Sequence, residues 1–234
     1  MFFRSLRRRV GEEFDAALHS AFVERFYRSR FREVYAVRAA QIVEEATRHW
    51  ERLGRMGLPE LDNRLDAAFD GLLDYFAIQY CPDLGGIHLP EAILQYERAE
   101  RATTDLGVML SDFLAFHREK VSLYTNFVAM APELLENACR AFLSAGRDEK
   151  LFFICDLSAK RNAREGFAMT DRALYWRAPF DRSRIANYDQ LADIQKKRDH
   201  LIINGHFFTA GPSLDLKIYK LLKKLRNWYV LQPD

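Results

Sequence analysis

Several cations lie in two short polar stretches in the last third of the sequence, "LSAKRNAREG" and "APFDRSRIA". The first contains Lys160, Arg161 and Arg164, and the second contains Arg182 and Arg184. Clustered lysine and arginine side chains can bind phosphate or carboxylate oxygens through charge-assisted hydrogen bonds. These five residues are therefore candidate anion-binding residues. The alternative is a solubilising surface loop, or a surface that docks on the acidic part of the same chain.

Groups that could support catalysis occur at Cys155, Asp199, His200 and His206. A thiolate can act as a nucleophile and an imidazole as a base, but nothing in the sequence places these groups together. No G-x-S-x-G stretch, H-E-x-x-H pair, Walker loop or G-x-G-x-x-G stretch is present. We therefore expect no catalytic residue, no metal and no cofactor. An enzyme with a site between two domains stays an alternative.

The first ten residues combine aromatic and basic side chains, with Phe2 and Phe3 close to Arg7, Arg8 and Arg9. An aromatic and basic end of this kind can lie at a membrane interface or contact a partner. The alternative is that these residues form the first turns of a helix, with the arginines paired to acidic residues elsewhere.

A second basic row contains Lys217, Lys220 and Lys224, which fall on one face of a helix at the end of the chain. This face could contact an anionic membrane, a partner or a nucleic acid. The alternative, typical of amphipathic helices, is an ordinary solvated face.

Aromatic residues at Tyr175, Trp176 and Tyr188 accompany the cations of this region. Bases of single-stranded nucleic acids stack on such rings beside basic residues, so nucleic-acid binding is an alternative function. Alternate aromatics on the strands of a small β domain more often belong to its core, and we favour that interpretation.

The composition is that of a soluble globular protein, with 234 residues, 49% hydrophobic and 29% charged. No apolar run is long enough to cross a bilayer, and no secretory signal follows the first arginines. The three cysteines fit no metal-ligand spacing, so we expect reduced and mostly buried thiols. We predict a cytoplasmic protein, with the inner face of the membrane as a further location.

Charge is distributed unevenly along the chain. Residues 1–149 contain 19 Lys and Arg against 24 Asp and Glu, and the remainder contains 16 against 9. The net charges are therefore −5 and +7, which indicates either an anionic partner for the second part or docking of the acidic part on the basic part.

Apolar residues recur at helical spacing through the first part of the chain. Helices are predicted from Val10 to Phe26, from Tyr35 to Leu53 and from Leu61 to Tyr80. A longer helix is predicted from Pro90 to about Phe127, and a last one from Pro132 to a cap at Gly146. These helices predict an antiparallel bundle over residues 1–148.

The period changes to about two after residue 149. Seven short strands are predicted, and they are "LFFICD", "GFAMTD", "RALYWR", "RIANY", "LADIQKK" and the two halves of "HLIINGHFFTA". Thr170-Asp171 reverses the chain between the second and third strands, and Asn204-Gly205 suits a type I′ hairpin turn. A single helix starting near Pro212 closes the chain, so residues 149–234 are predicted to be a β domain with a C-terminal helix. The chain as a whole is predicted to be α+β.

The pattern "LFFICD…GFAMTDRALYW…IANYDQLADI…LIING" resembles the bacterial pleckstrin-homology-like (PH-like) domains. The resemblance covers about residues 150–230 and implies a seven-stranded β-barrel or sandwich capped by one helix. It also implies a non-catalytic platform for lipid head groups, peptides or proteins. Lipid-binding members hold phosphates with cations of the loop that matches "LSAKRNAREG", although the spacing of the cations here departs from theirs.

Together these features predict a two-part adaptor protein. Its PH-like domain would recognise an anionic membrane surface or a protein partner, and its helical bundle would provide a second contact or regulate the first.

Overall fold

The computed structural model of the chain describes residues 2–10, 15–54, 58–84 and 89–231. It contains two compact units, an N-terminal unit of residues 1–98 and a C-terminal unit of residues 99–234. The architecture is α+β as predicted, with helices first, then antiparallel sheets and a final helix. The domain boundary after residue 148 stays a prediction of the sequence, and the compact units divide fifty residues earlier, at Arg98.

The N-terminal unit is helical. Its elements are α1 (Phe2–Val10), α2 (Ala16–Arg28), α3 (Phe31–Leu53), α4 (Leu58–Tyr80) and a short 3-10 helix at Glu91–Tyr96. The helices predicted from Tyr35 and from Leu61 are confirmed as α3 and α4. Aromatic rings fill the core, where Phe31 and Phe76 have ring centroids 4.5 Å apart.

The long helix predicted after Pro90 is wrong. The segment forms the Glu91–Tyr96 turn, a 3-10 turn at Arg101–Thr103, α5 (Leu106–Leu114), a 3-10 turn at Phe116–Arg118 and strand β1 (Ser122–Tyr124). Helix α5 begins where it does because the side chain of Asp105 accepts the N–H of Val108, and it ends where Ala115 adopts a left-handed φ of 42°. The next helix, α6 (Pro132–Ala141), also stops before the predicted Gly146.

All seven predicted strands are confirmed. They are β2 (Leu151–Asp156), β3 (Gly166–Thr170), β4 (Ala173–Arg177), β5 (Arg184–Asn187), β6 (Ile194–Lys196), β7 (Leu201–Ile203) and β8 (His206–Phe208). One antiparallel sheet has the order β1-β2-β3-β4-β5 and the other has the order β6-β7-β8. In the part of the chain that the structure describes, no strand pairing joins the sheets, so the predicted barrel is not closed.

Two tight turns follow the sequence prediction. Asn204 and Gly205 have φ values of 48° and 80°, as a type I′ turn requires. In the β3–β4 turn, the hydroxyl of Thr170 accepts the N–H groups of Arg172 and Ala173 at 3.1 and 3.0 Å. "GFAMTD" is thus a structural motif, because it sets the reversal between two core strands.

Both faces of the five-stranded sheet are covered. On one face, Ile154, Ala168 and Tyr175 pack with the buried residues Ala138 and Phe142 from the α6 region. On the other face, aromatic rings join the two sheets, since Phe208 lies 5.7 Å from Phe167 and 5.9 Å from Trp176. All five residues of β3 are buried for this reason.

The last helix, α7 (Pro212–Arg226), packs against both α5 and β6. It encloses a charged pair, because Lys217 is 2% exposed and its Nζ lies 2.5 Å from Oε1 of Glu119. The same Nζ donates to the carbonyl of Leu114 at 3.1 Å, which caps the carboxy-terminal end of α5. Burial raises the pKa of Glu119, but hydrogen bonds from Lys217 and Ser213 outweigh it and hold this pKa below its usual value.

The first turn of α7 contains a buried carboxylate at Asp215. It accepts the N–H of Ala210 at 2.6 Å and the hydroxyl of Thr209 at 3.1 Å, which fixes the connection from β8. Burial raises the pKa of Asp215 to about 6, although these hydrogen bonds and the charge of Lys196 oppose the shift.

We expect Lys217→Met to destabilise the C-terminal unit by about 3 kcal/mol, because the carboxylate of Glu119 loses its partner in a mostly buried place. Adding Glu119→Leu should restore at least half of the loss, since an apolar pair replaces the ion pair. Urea unfolding followed by tryptophan fluorescence measures both. The exposed neighbour Lys120 is the control, and Lys120→Met should change stability by less than about 0.5 kcal/mol. An equal loss in both single variants would contradict this account.

The raised pKa of Asp215 predicts a pH dependence of stability. The folded protein binds this proton more tightly than the unfolded chain, so the contribution of Asp215 to stability falls as pH rises from about 4 to about 6. Asp215→Asn removes the titrating carboxyl group, and its urea midpoint should fall less than that of the original protein between these pH values. Parallel pH profiles for the two proteins would show that Asp215 does not titrate in this range.

Candidate anion-binding surface

The register of the five-stranded sheet brings the two basic stretches to the same end of it. Asp156 pairs with Gly166, and Gly166 pairs with Arg177 on the next strand. Trp176, in turn, pairs with Arg184. The β2–β3 connection (residues 157–165) and the β4–β5 connection (residues 178–183) therefore lie at the same end of the strands. We call these two connections the loop end.

A buried carboxylate organises the β2–β3 connection. Oδ1 of Asp156 accepts the N–H and the hydroxyl of Ser158 at 2.8 and 2.5 Å, and its Oδ2 accepts the N–H of Ala163 at 3.1 Å. The hydroxyl of Ser158 also accepts the N–H of Asn162 at 2.9 Å. The backbone turns through left-handed conformations at Arg161 and Ala163, with φ values of 50° and 55°. The carboxylate thus links the beginning and the end of a tight loop.

The backbone donors of this loop are largely used internally, so its cationic side chains are the groups free to meet an external anion. Lys160 and Arg161 are exposed. Arg164 is also exposed, but its Nε lies 3.3 Å from Oδ1 of Asn137 on α6. Lys160 and Arg161 are therefore the better placed of the three predicted residues.

The β4–β5 connection is a second ordered turn. The N–H of Asp181 donates to the carbonyl of Ala178 at 3.2 Å, and Nε of Arg177 donates to the carbonyl of Asp181 at 3.2 Å. The carboxylate of Asp181 accepts the N–H of Arg182 at 2.7 Å and pairs with Arg184 at 3.6 Å. Arg182 is exposed, whereas the predicted residue Arg184 is partly neutralised.

The net charge of the compact units is less uneven than that of the two halves of the sequence. Residues 1–98 contain 14 Lys and Arg against 16 Asp and Glu, and residues 99–234 contain 21 against 17. The net charges are −2 and +4, because the acidic segment between residues 99 and 149 belongs to the C-terminal unit. The C-terminal unit as a whole is thus only weakly basic, and the loop end is one of the places where cations exceed carboxylates.

The structure corrects the prediction of a lysine face on α7. Lys217 and Lys220 are only 2% and 6% exposed, and Lys224 donates to the carbonyl of Ala99 at 3.0 Å. These residues do not form a solvated face, and the first two are not placed to contact a membrane or a partner. The reason is that α5, which the sequence assigned to the bundle, packs on this side of α7.

The structure also corrects the aromatic part of the amino-terminal prediction. Phe2 is 5% exposed and its ring lies 5.3 Å from that of Phe76, so it belongs to the core of the N-terminal unit. Phe3 is half-buried against Phe26. Arg7 is exposed on α1, while the predicted contact residues Arg8 and Arg9 have side chains outside the described part of the structure.

The strand aromatics are core residues, as the sequence favoured. Tyr175, Trp176 and Tyr188 are at most 2% exposed, so they offer no platform on which bases could stack. Cys155 is fully buried, and burial raises its pKa to about 12, which keeps it a protonated and poorly nucleophilic thiol. His200 lies 2.7 Å from Asp199 at the surface.

The described residues hold no cluster of three or more His, Cys, Asp or Glu side chains arranged to bind a metal ion. Within the same part of the chain, no helix combines the length and apolar character that crossing a membrane requires. The N-terminal unit has an open groove of about 650 Å³ between α3 and the Glu91–Tyr96 turn. Its lining includes a paired Arg38 and Glu97, 2.7 Å apart, so the groove lacks the excess of positive charge found at the loop end.

Sequence reasoning missed the residues that shape the loop end. Asp156 was included in a predicted strand, although an aspartate followed two residues later by serine is a recognisable local capping pattern. Asp181 lies inside the "APFDRSRIA" stretch, in which the sequence pattern singles out only Arg182 and Arg184. Phe180 was also passed over, and nothing in the pattern of apolar residues indicates that its side chain is 106% exposed.

We predict that Asp156→Ala loosens the β2–β3 connection, because three hydrogen bonds of the loop lose their acceptor. Amide hydrogen exchange of Ser158 and Ala163 should be faster by about five- to thirtyfold, as the loss of about one to two kcal/mol of local stability implies. The variant Lys160→Ala, which removes a side chain from the same loop, should leave their exchange unchanged. Equal protection in all three proteins would mean that the carboxylate does not hold the loop.

No model of a protein family, no curated protein and no solved structure matches the chain. The function of the loop end must therefore be argued from its own residues.

Proposed function

We propose that the C-terminal unit is a PH-like binding module. The proposal is supported by the order of its elements, because seven antiparallel strands, β2 to β8, are followed by the single helix α7. Four of these strands lie in one sheet and three in the other, and aromatic rings join the two sheets. Strand β1 and helices α5 and α6 are additions to that arrangement. In this proposal the unit is a non-catalytic platform.

The partner that suits the loop end is an anionic surface. The observation that carries this proposal is the strand register, because it brings Lys160, Arg161 and Arg182 to the same end of the strands, where all three are exposed. Nearby carboxylates do not cancel these charges completely, because residues 156–165 and 178–184 contain five Lys and Arg against three Asp and Glu. Two of these carboxylates, Asp156 and Asp181, are also engaged by N–H groups of their own connections. Because the backbone of these loops is already held by hydrogen bonds, binding through their cations costs little additional backbone entropy.

A nucleic acid is the less favoured partner. Single strands bind where successive bases can stack on several exposed rings beside cations, whereas the loop end exposes one ring, Phe180, and the predicted residues Tyr175 and Trp176 are buried. An anionic lipid surface or an acidic protein segment requires only the cations.

Co-sedimentation with vesicles tests the proposed function. The protein should bind vesicles of phosphatidylglycerol and not vesicles of phosphatidylcholine, and more strongly at low than at physiological ionic strength. Replacing Lys160, Arg161 and Arg164 by alanine should weaken this binding about 100-fold, because each cation near an anionic surface contributes roughly 1 kcal/mol.

The matched control removes the same charge elsewhere in the unit. Lys196, Lys197 and Arg198 are exposed residues at the β6–β7 connection, and their triple alanine variant should keep most of the binding. Equal losses in the two variants would show that net charge, and not the loop end, determines binding. Full binding by the loop variant would remove the proposed site.

A further inference from the structure

Phe180 occupies the tip of the β4–β5 turn with its side chain entirely in solvent, at 106% exposure. The turn runs from Ala178 to Asp181 and is closed by the 3.2 Å hydrogen bond between them. Pro179 occupies its second position and Phe180 its third. Phe180 has a φ of 61°, the sign that type II turns require at the third position.

A phenylalanine at this position is unfavourable in the isolated protein for two reasons. Glycine or asparagine adopts a positive φ readily, whereas a bulky L-residue does so only with strain. The ring also remains in water, where it contributes nothing to the core. A strained and exposed residue on a short, well-braced turn is an observation from which a role in binding can be argued.

The surroundings of the ring indicate what it meets. It lies at the loop end, at the same end of the strands as Lys160 and Arg161. Arg182 is two residues away in the β4–β5 connection, which also contains Phe180. The turn below it is braced, because Nε of Arg177 donates to the carbonyl of Asp181 at 3.2 Å. An apolar ring that shares the loop end with exposed cations complements the boundary between anionic head groups and acyl chains, where the ring enters the apolar layer and the cations stay among phosphates.

We propose that Phe180 is the membrane anchor of the C-terminal unit and inserts into an anionic lipid bilayer while the loop cations bind its phosphates. This inference rests on the proposed function, because the cations bring the ring to the surface. An acidic protein segment would use the cations but would not need a fully exposed ring at the tip of the turn.

Phe180→Gly is the informative variant, because glycine removes the ring and suits the positive φ, so the protein should fold with an equal or higher melting temperature. Its binding to phosphatidylglycerol vesicles should be about tenfold weaker, which corresponds to the loss of a partly buried phenylalanine side chain. Its binding to a fluorescent poly-glutamate peptide should be unchanged. Phe180→Trp should keep vesicle binding, and brominated lipids should quench its added fluorescence.

Val128 provides the matched control, because it is 99% exposed in the same unit and has no basic residue beside it in the chain. Val128→Gly should bind vesicles like the original protein. Unchanged vesicle binding by Phe180→Gly, or no quenching of Trp at this position, would overturn the anchor while the cation-dependent binding stands. Binding to the peptide but not to vesicles would also overturn it and would identify an acidic protein segment as the partner. If the triple alanine variant of Lys160, Arg161 and Arg164 still binds both the vesicles and the peptide, the proposed function is overturned instead.

Discussion

The buried pair of Lys217 and Glu119 is the interaction on which the arrangement of the C-terminal unit depends. It joins residues 98 positions apart, and the same ammonium group caps the end of α5 at Leu114. A lysine in such a place must be paired, because an uncompensated charge in the interior is strongly destabilising. The pair therefore fixes the side of α7 on which residues 99–119 pack. Helix α7 in turn lies against β6 of the three-stranded sheet, so this contact defines one boundary of the core.

The candidate surface follows from that core through the hydrogen bonds of the sheet. In a row of antiparallel strands, successive connections alternate between the two ends of the sheet. The β2–β3 and β4–β5 connections are separated by one connection, so both basic connections lie at the same end. A carboxylate then accepts backbone N–H groups within each connection. It belongs to the buried Asp156 in the β2–β3 connection and to the half-buried Asp181 in the β4–β5 connection. Lys160, Arg161, Arg182 and Phe180 consequently lie on hydrogen-bonded turns, and the fold leaves these four residues exposed to solvent.

Local signals predicted the parts of the fold that depend on neighbouring residues. The alternation of apolar residues identified β2 to β8, and Asn204-Gly205 marked its turn because few residues adopt positive φ easily. The long helix after Pro90 was wrong although a local signal opposed it, since Asp105 is a good helix cap placed in the middle of the segment. Apolar residues at helical spacing outweighed that signal in the prediction, and the pairing of β1 with β2 could not be seen from its three residues.

The sequence by itself determined the class of the fold, the positions of strands β2 to β8 and of the final helix, and the set of cations available for an anion. Only the tertiary structure decided which of those cations face solvent. Lys217 and Lys160 look alike in a sequence, yet one is enclosed by α5 and the other is exposed on a loop. Periodicity reports which residues share a face of a helix or strand, but burial depends on what packs against that face. That contact is made here by residues about a hundred positions away, and no short-range pattern records it.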